Sequence, residues 1–329
     1  MCLPAHPIAL AGSCGSFLRF YPMRFLSMLL PPVTCSGAAK CFDILFPSPT
    51  LRITDFVVNL QRNLKLFFLM VKAIFFDVDG TLVSFKTHKV PASTREALRL
   101  LRAKGVKVFI ATGRPKMLMM EAVGDLEFDG YVTLNGSHCF TADHQDIYKN
   151  CIPKDDIERL ISYCRRYPEI PFVFVDENGW YITHINDDVE NVSRLLEVSV
   201  PPLMSAEAMR NKDVLQIMGY FGESEEPKFF SEVLTHCVPM RWHPLFADII
   251  VRGNSKSEGI DRVLAYYGID LSETMAFGDG GNDIPMLRHV ALGVAMGNAA
   301  EPVRSAANYV TTSVDDDGIL NALKHFNVL

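Results

Sequence analysis

Hydrophobic and polar positions alternate along this chain in two rhythms. From residue 71 onward, short apolar runs trade places with amphipathic stretches of helical period, the pattern of strands and helices around a parallel sheet. Residues 73–78, 106–111 and 130–134 read as buried strands. A helix is expected over 93–104, with Ser93 as its N-cap and Ala97, Leu98 and Leu101 facing inward. After residue 136 the texture changes. Helices are expected over 155–166, 187–196 and 226–237, and strands over 172–176, 180–184, 214–219 and 248–251. Glu177-Asn178-Gly179 supplies a hairpin turn in this block. The first rhythm then resumes, with helices over 256–267, 283–289, 301–307 and 316–326 and strands over 274–278, 291–295 and 309–311. The pattern predicts an α/β domain built from 70–136 and 252–329, interrupted by an inserted α+β domain at 137–251.

Residues 1–69 stand apart as an atypical N-terminal extension. The first 70 residues hold six basic and two acidic side chains, whereas the whole chain has a net charge of -6, so the remainder is distinctly acidic. Met70 directly precedes the first strand, and a compact enzyme is expected to start there. Residues 56–68 show some helical periodicity. The apolar run at 25–30 is stopped by Pro31-Pro32, and no run of uncharged apolar residues reaches the roughly 18 of a membrane span. Membrane insertion is therefore not expected. Mild acidity argues against a nucleic-acid footprint, which usually needs a clustered basic face. The eight cysteines are scattered without a C-x-x-C pair, signalling neither a zinc site nor a disulfide framework. A cytoplasmic setting follows as the default.

Four features fall at strand ends or helix starts of the α/β part, where open parallel sheets bind ligands. The first is Asp77-Val78-Asp79-Gly80-Thr81-Leu82. Two acids closing a buried strand are costly unless something pairs with them. Asp77 can attack phosphorus as a carboxylate nucleophile, and Asp79 can protonate the leaving oxygen and later deprotonate water. The second is Thr112-Gly113, whose hydroxyl and backbone N–H groups suit a phosphate oxygen. The third is Lys256, which opens a helix beside the unfavourable end of its dipole and so calls for an anion or for the Asp77 carboxylate. The fourth is Gly278-Asp279-Gly280-Gly281-Asn282-Asp283. Here Asp279 can ligate magnesium directly and Asp283 can hold a metal-bound water. Thr112 alone would read equally as a capping threonine and Lys256 as a solvated lysine. Their order on successive α/β elements points to one site.

With these motifs the chain resembles the haloacid dehalogenase superfamily, and within it the Cof-type branch, over residues 70–329. The resemblance implies a Rossmann-like core with a parallel sheet and an inserted α+β cap that closes over it. It implies an aspartyl-phosphate on Asp77, with Asp79 as general acid and then base. Thr112, Gly113, Lys256 and Asn282 would hold the phosphoryl group. Mg2+ would be bound by Asp77, the backbone carbonyl of Asp79, and Asp279, with Asp283 supporting it. The function implied is a magnesium-dependent phosphatase of small phosphorylated metabolites, sugar phosphates foremost, acting as a monomer or weak homodimer. A phosphomutase with the same chemistry and a non-catalytic binding protein on the same fold are the alternatives. Arg241, Trp242 and His243 form a polar-aromatic cluster that reads either as a determinant of substrate choice or as a strand or loop around a partly buried tryptophan.

Overall fold

The computed structural model describes residues 70–195 and 198–329. The expectations for residues 1–69, including the periodic stretch at 56–68, lie outside the described residues.

Strand β1 (Ala73–Phe76) is apolar at every position and wholly buried because it occupies the centre of a sheet. It runs parallel to β2 (Lys107–Ala111) on one side and β11 (Thr274–Gly278) on the other, with Ala73 in register with both Lys107 and Thr274. Parallel β3 (Gly130–Thr133) follows β2, while β12 (Leu292–Ala295) and β13 (Tyr309–Val310) extend the opposite side. Two further strands, β4 (His138–Thr141) and β5 (Asp146–Lys149), pair antiparallel beyond β3 and complete the order β13-β12-β11-β1-β2-β3-β4-β5. The sequence pattern places 138–149 in the inserted block and assigns no strand there; the chain instead forms a hairpin that hydrogen-bonds to the first sheet. Its strands carry no clean alternation, because β4 is buried at all four positions.

Phe75 and Phe109 stack on one face of the sheet at 4.9 Å. They share a core with Ile260, Val263 and Leu264 of α6 (Lys256–Tyr267), with Met286 and Leu287 of α7 (Ile284–His289), and with Val303 of α8 (Glu301–Arg304). Each such side chain contributes about 1.5–3 kcal/mol on burial. Helix α1 (Ala92–Ala103) packs against β2 and α9 (Gly318–His325), burying Thr94, Ala97, Leu98 and Leu101. Its N-cap is Pro91 rather than Ser93. Ser93 sits inside the first turn, its hydroxyl buried without a hydrogen-bond partner.

A second, five-stranded sheet is antiparallel throughout, in the order β7-β6-β8-β10-β9. Its strands are β6 (Phe172–Val175), β7 (Trp180–Ile182), β8 (Gln216–Gly219), β9 (Cys237–His243) and β10 (Phe246–Val251). Helices α3 (Lys154–Arg166), α4 (Asp187–Leu195) and α5 (Glu226–Glu232) accompany it. Helix α5 is shorter than its pattern suggested. The chain leaves the helix at Val233, and Cys237 opens a strand in which Pro239 stands opposite Ile249 of β10. A proline is tolerated there because β9 is an edge strand.

Two chain passages link the sheets, and side-chain amides tie them together. Asn150 Nδ2 donates to Asn254 Oδ1 at 2.7 Å, and Asn254 Nδ2 donates to Ser137 Oγ at 2.9 Å. The Asn150 backbone N–H also donates to the Ser137 carbonyl at 2.9 Å.

Candidate active site

Four chain segments meet at the carboxyl ends of the parallel strands. Beyond β1 the chain turns so tightly that the Leu82 and Val83 N–H groups both donate to the Val78 carbonyl. Gly80 adopts φ +77°, and a Cβ there would lie 2.1 Å from Asp279 Oδ2. Only glycine satisfies both the left-handed backbone and this close approach.

Lys256 is the pivot. Its side chain is fully buried at the start of α6. Its Nζ donates to Asp77 Oδ1 and to Asp283 Oδ1, each at 2.6 Å. Asp283 is saturated, since its other oxygen accepts the backbone N–H groups of Asp279 and Gly280 at 2.9 and 2.8 Å. Asp279 is held by the Thr81 hydroxyl at 2.8 Å and by Asn298 Nδ2 at 3.0 Å. Oxygen atoms of Asp77, Asp279 and Asp283 lie within 4.8 Å of one another. The close approach of Asp77 and Asp279 that a shared cation requires is therefore present.

Charge in this cluster is unbalanced, with three acids facing one ammonium. Burial, then the neighbouring Asp283, pushes the Asp77 carboxyl well above the usual carboxylate range, against the pull of Lys256. Burial likewise pushes the Asp279 carboxyl up to about 7, against the Thr81 hydroxyl. Burial alone would lower the Lys256 pKa, but Asp283 and Asp77 outweigh it and hold the ammonium above its ordinary value. An all-oxygen donor set with surplus negative charge fits a hard divalent cation.

Asp79 points elsewhere. Its carboxylate forms a two-pronged pair with Arg114, Nε to Oδ2 at 2.7 Å and Nη2 to Oδ1 at 2.8 Å. The side chain is thus committed to Arg114, leaving the backbone carbonyl as its route to a cation. Thr112 is buried, and its Oγ1 accepts the Arg114 N–H at 3.1 Å. It does not cap α2 (Lys116–Val123), whose N-cap is Pro115. Accepting that local bond leaves the hydroxyl hydrogen available to a ligand. Gly113 and Asn282 lie together, since a Cβ on Gly113 would come 3.5 Å from Asn282 Nδ2. All the residues read from the sequence as phosphate or cation contacts therefore converge on one end of the sheet.

Three polar residues of the site were missed in the sequence: Arg114, Asn135 and Asn298. Arg114 had a signal, since a cation next to Thr112-Gly113 is a natural partner for a second acid at the end of β1. Asn298 had none, because its bonds to Asp279 and to the Gly80 carbonyl at 2.9 Å span up to 218 residues. The cluster at 241–243 is corrected in part. Arg241 donates to Glu226 and to the carbonyls of Phe221, His243, Pro244 and Phe246. It is a clamp on the β9–β10 turn, with its guanidinium spent on structure.

A family model for haloacid dehalogenase-like hydrolases matches residues 74–323. The chain is 34% identical over 263 residues to "Putative phosphatase YkrA" of Bacillus subtilis (strain 168), spanning 78% of this chain and 98% of that protein. It superposes on the sugar phosphatase BT4131, of HAD subclass IIB, with a TM-score of 0.69 and 44% identity over 79% of this chain and all of that one. It also superposes on the phosphatase BT1666 of Bacteroides thetaiotaomicron, with a TM-score of 0.72 and 40% identity over 80% and 97% of the two chains. Sequence, fold and site geometry agree, and the chain belongs to the haloacid dehalogenase-like hydrolases.

Proposed function

We propose that this hydrolase is a magnesium-dependent phosphatase of small phosphorylated metabolites, sugar phosphates foremost, working through an aspartyl-phosphate on Asp77. One observation carries the reading. A buried lysine bridges Asp77 and Asp283 while the Asp279 carboxylate stands within 4.8 Å, a cluster with negative charge to spare. Asp77 and Asp279 would hold Mg2+ with the Asp79 carbonyl, and Asp283 would orient Lys256 and the 279–280 backbone. The ion supplies charge neutralisation for the transferring group.

An Asp77 oxygen attacks phosphorus while the bond to the leaving oxygen breaks. Thr112, the Gly113 N–H, Lys256 and Asn282 hold the phosphoryl oxygens, since positioning and charge stabilisation make up most of what this reaction needs. Asp79 gives its proton to the leaving oxygen. It then takes a proton from the water that attacks the aspartyl-phosphate, releasing phosphate and restoring Asp77. Proton donation in the first half requires that the Asp79–Arg114 pair open.

Residues 151–251 would act as the cap, swinging on the Ser137, Asn150 and Asn254 contacts to exclude water before attack. A cavity of about 210 Å³ lies between Pro115, Lys116, Met117 and Met120 on one side and the turn at 176–179 on the other. It adjoins Arg114 in the chain, and its lining combines the apolar Pro115, Met117 and Met120 with the polar Lys116, Asp176, Glu177 and Asn178, a mixture that suits a hydroxylated carbon skeleton as leaving group. Among the described residues no helix is long and apolar enough to cross a membrane, and Cys139, Cys151, Cys164 and Cys237 are free thiols. The free thiols suit the reducing, cytoplasmic setting proposed here. Phosphate release from a panel of phosphorylated sugars, nucleotides and cofactor precursors, with and without magnesium, tests the proposal. It expects metal-dependent release that Asp77→Asn abolishes. Isomerisation without release would make the protein a mutase, and retention of release by Asp77→Asn would remove the nucleophile.

A further inference from the structure

The turn that follows β3 is built at conformational cost and placed among the phosphate-facing loops. Leu134, Asn135 and Gly136 take φ values of 52°, 51° and 95° in succession. Consecutive left-handed residues that are not glycine persist only where their surroundings dictate them, and such strain gathers at functional sites. The surroundings here are three of the four active-site segments. The Leu134 and Asn135 N–H groups donate to the carbonyls of Arg114 and Thr112, at 3.3 and 3.1 Å. Gly136 abuts the helix start that carries Lys256, and a Cβ there would fall 2.1 Å from the Ser255 carbonyl oxygen.

The Asn135 side chain completes the bridge. It is 3% exposed. Its Oδ1 accepts Asn282 Nδ2 at 3.1 Å, across 147 residues of chain. Both of its terminal atoms lie 3.2 Å from where a Gly113 Cβ would stand. The two amides therefore lie together over Gly113.

We infer that Asn135 is a positioning residue of the phosphoryl pocket, fixing the orientation of the Asn282 amide and the placement of the Thr112-Gly113 loop. The Asn282 amide is free to rotate about its last bond, and the Asn135 oxygen selects the rotamer that turns the nitrogen toward Gly113. This inference rests on the phosphatase reading.

Asn135→Gly separates the amide from the turn. Glycine adopts the left-handed backbone without strain, so a residue that served the turn alone would be replaced at no loss. Inorganic phosphate, titrated by calorimetry in the presence of magnesium, is the probe, with thermal unfolding and kcat/KM alongside. Asn135→Gly is expected to unfold at the same temperature as the parent or higher, yet to bind phosphate about tenfold more weakly. Its kcat/KM should fall by roughly 10- to 100-fold, the scale of a misplaced binding group. Combined with Asn282→Ala it should add little to the loss that Asn282→Ala causes alone, because both changes remove one coupled unit. Unchanged phosphate binding in Asn135→Gly, or independent losses that multiply in the double variant, overturns the inference. A parent that binds no phosphate overturns the phosphatase reading itself. Should Asn135→Gly fail to fold, Asn135→Asp keeps the left-handed preference and an acceptor for Asn282. Its carboxylate should weaken phosphate binding at least tenfold, and unaltered binding is again the contrary result.

Discussion

Replacing Lys256 by methionine isolates the electrostatic core of the site. Methionine keeps the length and apolar stem but removes the charge that sits 2.6 Å from both Asp77 and Asp283. The three carboxylates then lie within 4.8 Å of one another with no buried cation among them. At an effective dielectric of about 20, two charges at that distance repel by roughly 3.5 kcal/mol. Protonation caps the cost. Moving a carboxyl from its unfolded pKa of about 3.9 to above pH 7 costs roughly 4 kcal/mol. The loss expected at pH 7 in EDTA is thus about 3–4 kcal/mol, or a fall of roughly 6–16 °C in unfolding temperature. The pH dependence has a definite sign. Asp77 and Asp279 already have raised pKa values in the folded parent, so above pH ~4 the unfolded chain sheds protons that the folded variant retains. The deficit therefore grows from about pH 4 upward and fades on acidification. Scanning calorimetry of parent and variant from pH 4 to 7 measures it. A deficit below about 1 kcal/mol at pH 7, or one that widens in acid, would refute the reasoning.

Three further outcomes follow. Gly80→Ala places a Cβ 2.1 Å from Asp279 Oδ2 at φ +77°. It should lower kcat more than about 100-fold and destabilise by roughly 1–3 kcal/mol, and near-parental turnover would contradict the close approach. Asn254→Ala removes the bond to Ser137 and the acceptor for Asn150. It should cost about 1–3 kcal/mol in urea unfolding, whereas no change would mean that the linking passages are not held there. Arg241→Ala should lose about 2–4 kcal/mol of stability through its five hydrogen bonds while kcat/KM stays within about twofold. A selective rise in KM with full stability would restore a substrate role.

The sequence made legible whatever depends on local pattern or on charge out of place. The strand at 274–278 and the helix at 256–267 appear with the expected bounds, because each has apolar periodicity and a clear start and stop. Two acids closing a buried strand, and a lysine opening a helix, announced the site by being unfavourable in isolation. What escaped was set by tertiary contact. The hairpin at 138–149 joined the first sheet because β3 offered an unpaired edge. Helix α5 stops at Glu232, and the last residue expected in it, Cys237, pairs instead with Val251 of β10. Asn135 carries no local signal, because its bond to Asn282 exists only after folding brings distant segments together. Arg241 looked available, and five acceptors from three stretches of chain turned out to surround it.

Covalent capture on Asp77 tests the central claim most directly. Enzyme mixed with a radiolabelled sugar phosphate and magnesium is quenched in acid within a turnover, digested and mapped by mass spectrometry. The account predicts a base-labile phosphoryl group on the peptide containing Asp77, absent from Asp77→Asn. Steady release of phosphate with no label on that peptide at any quench time, or label on a different residue, would contradict it.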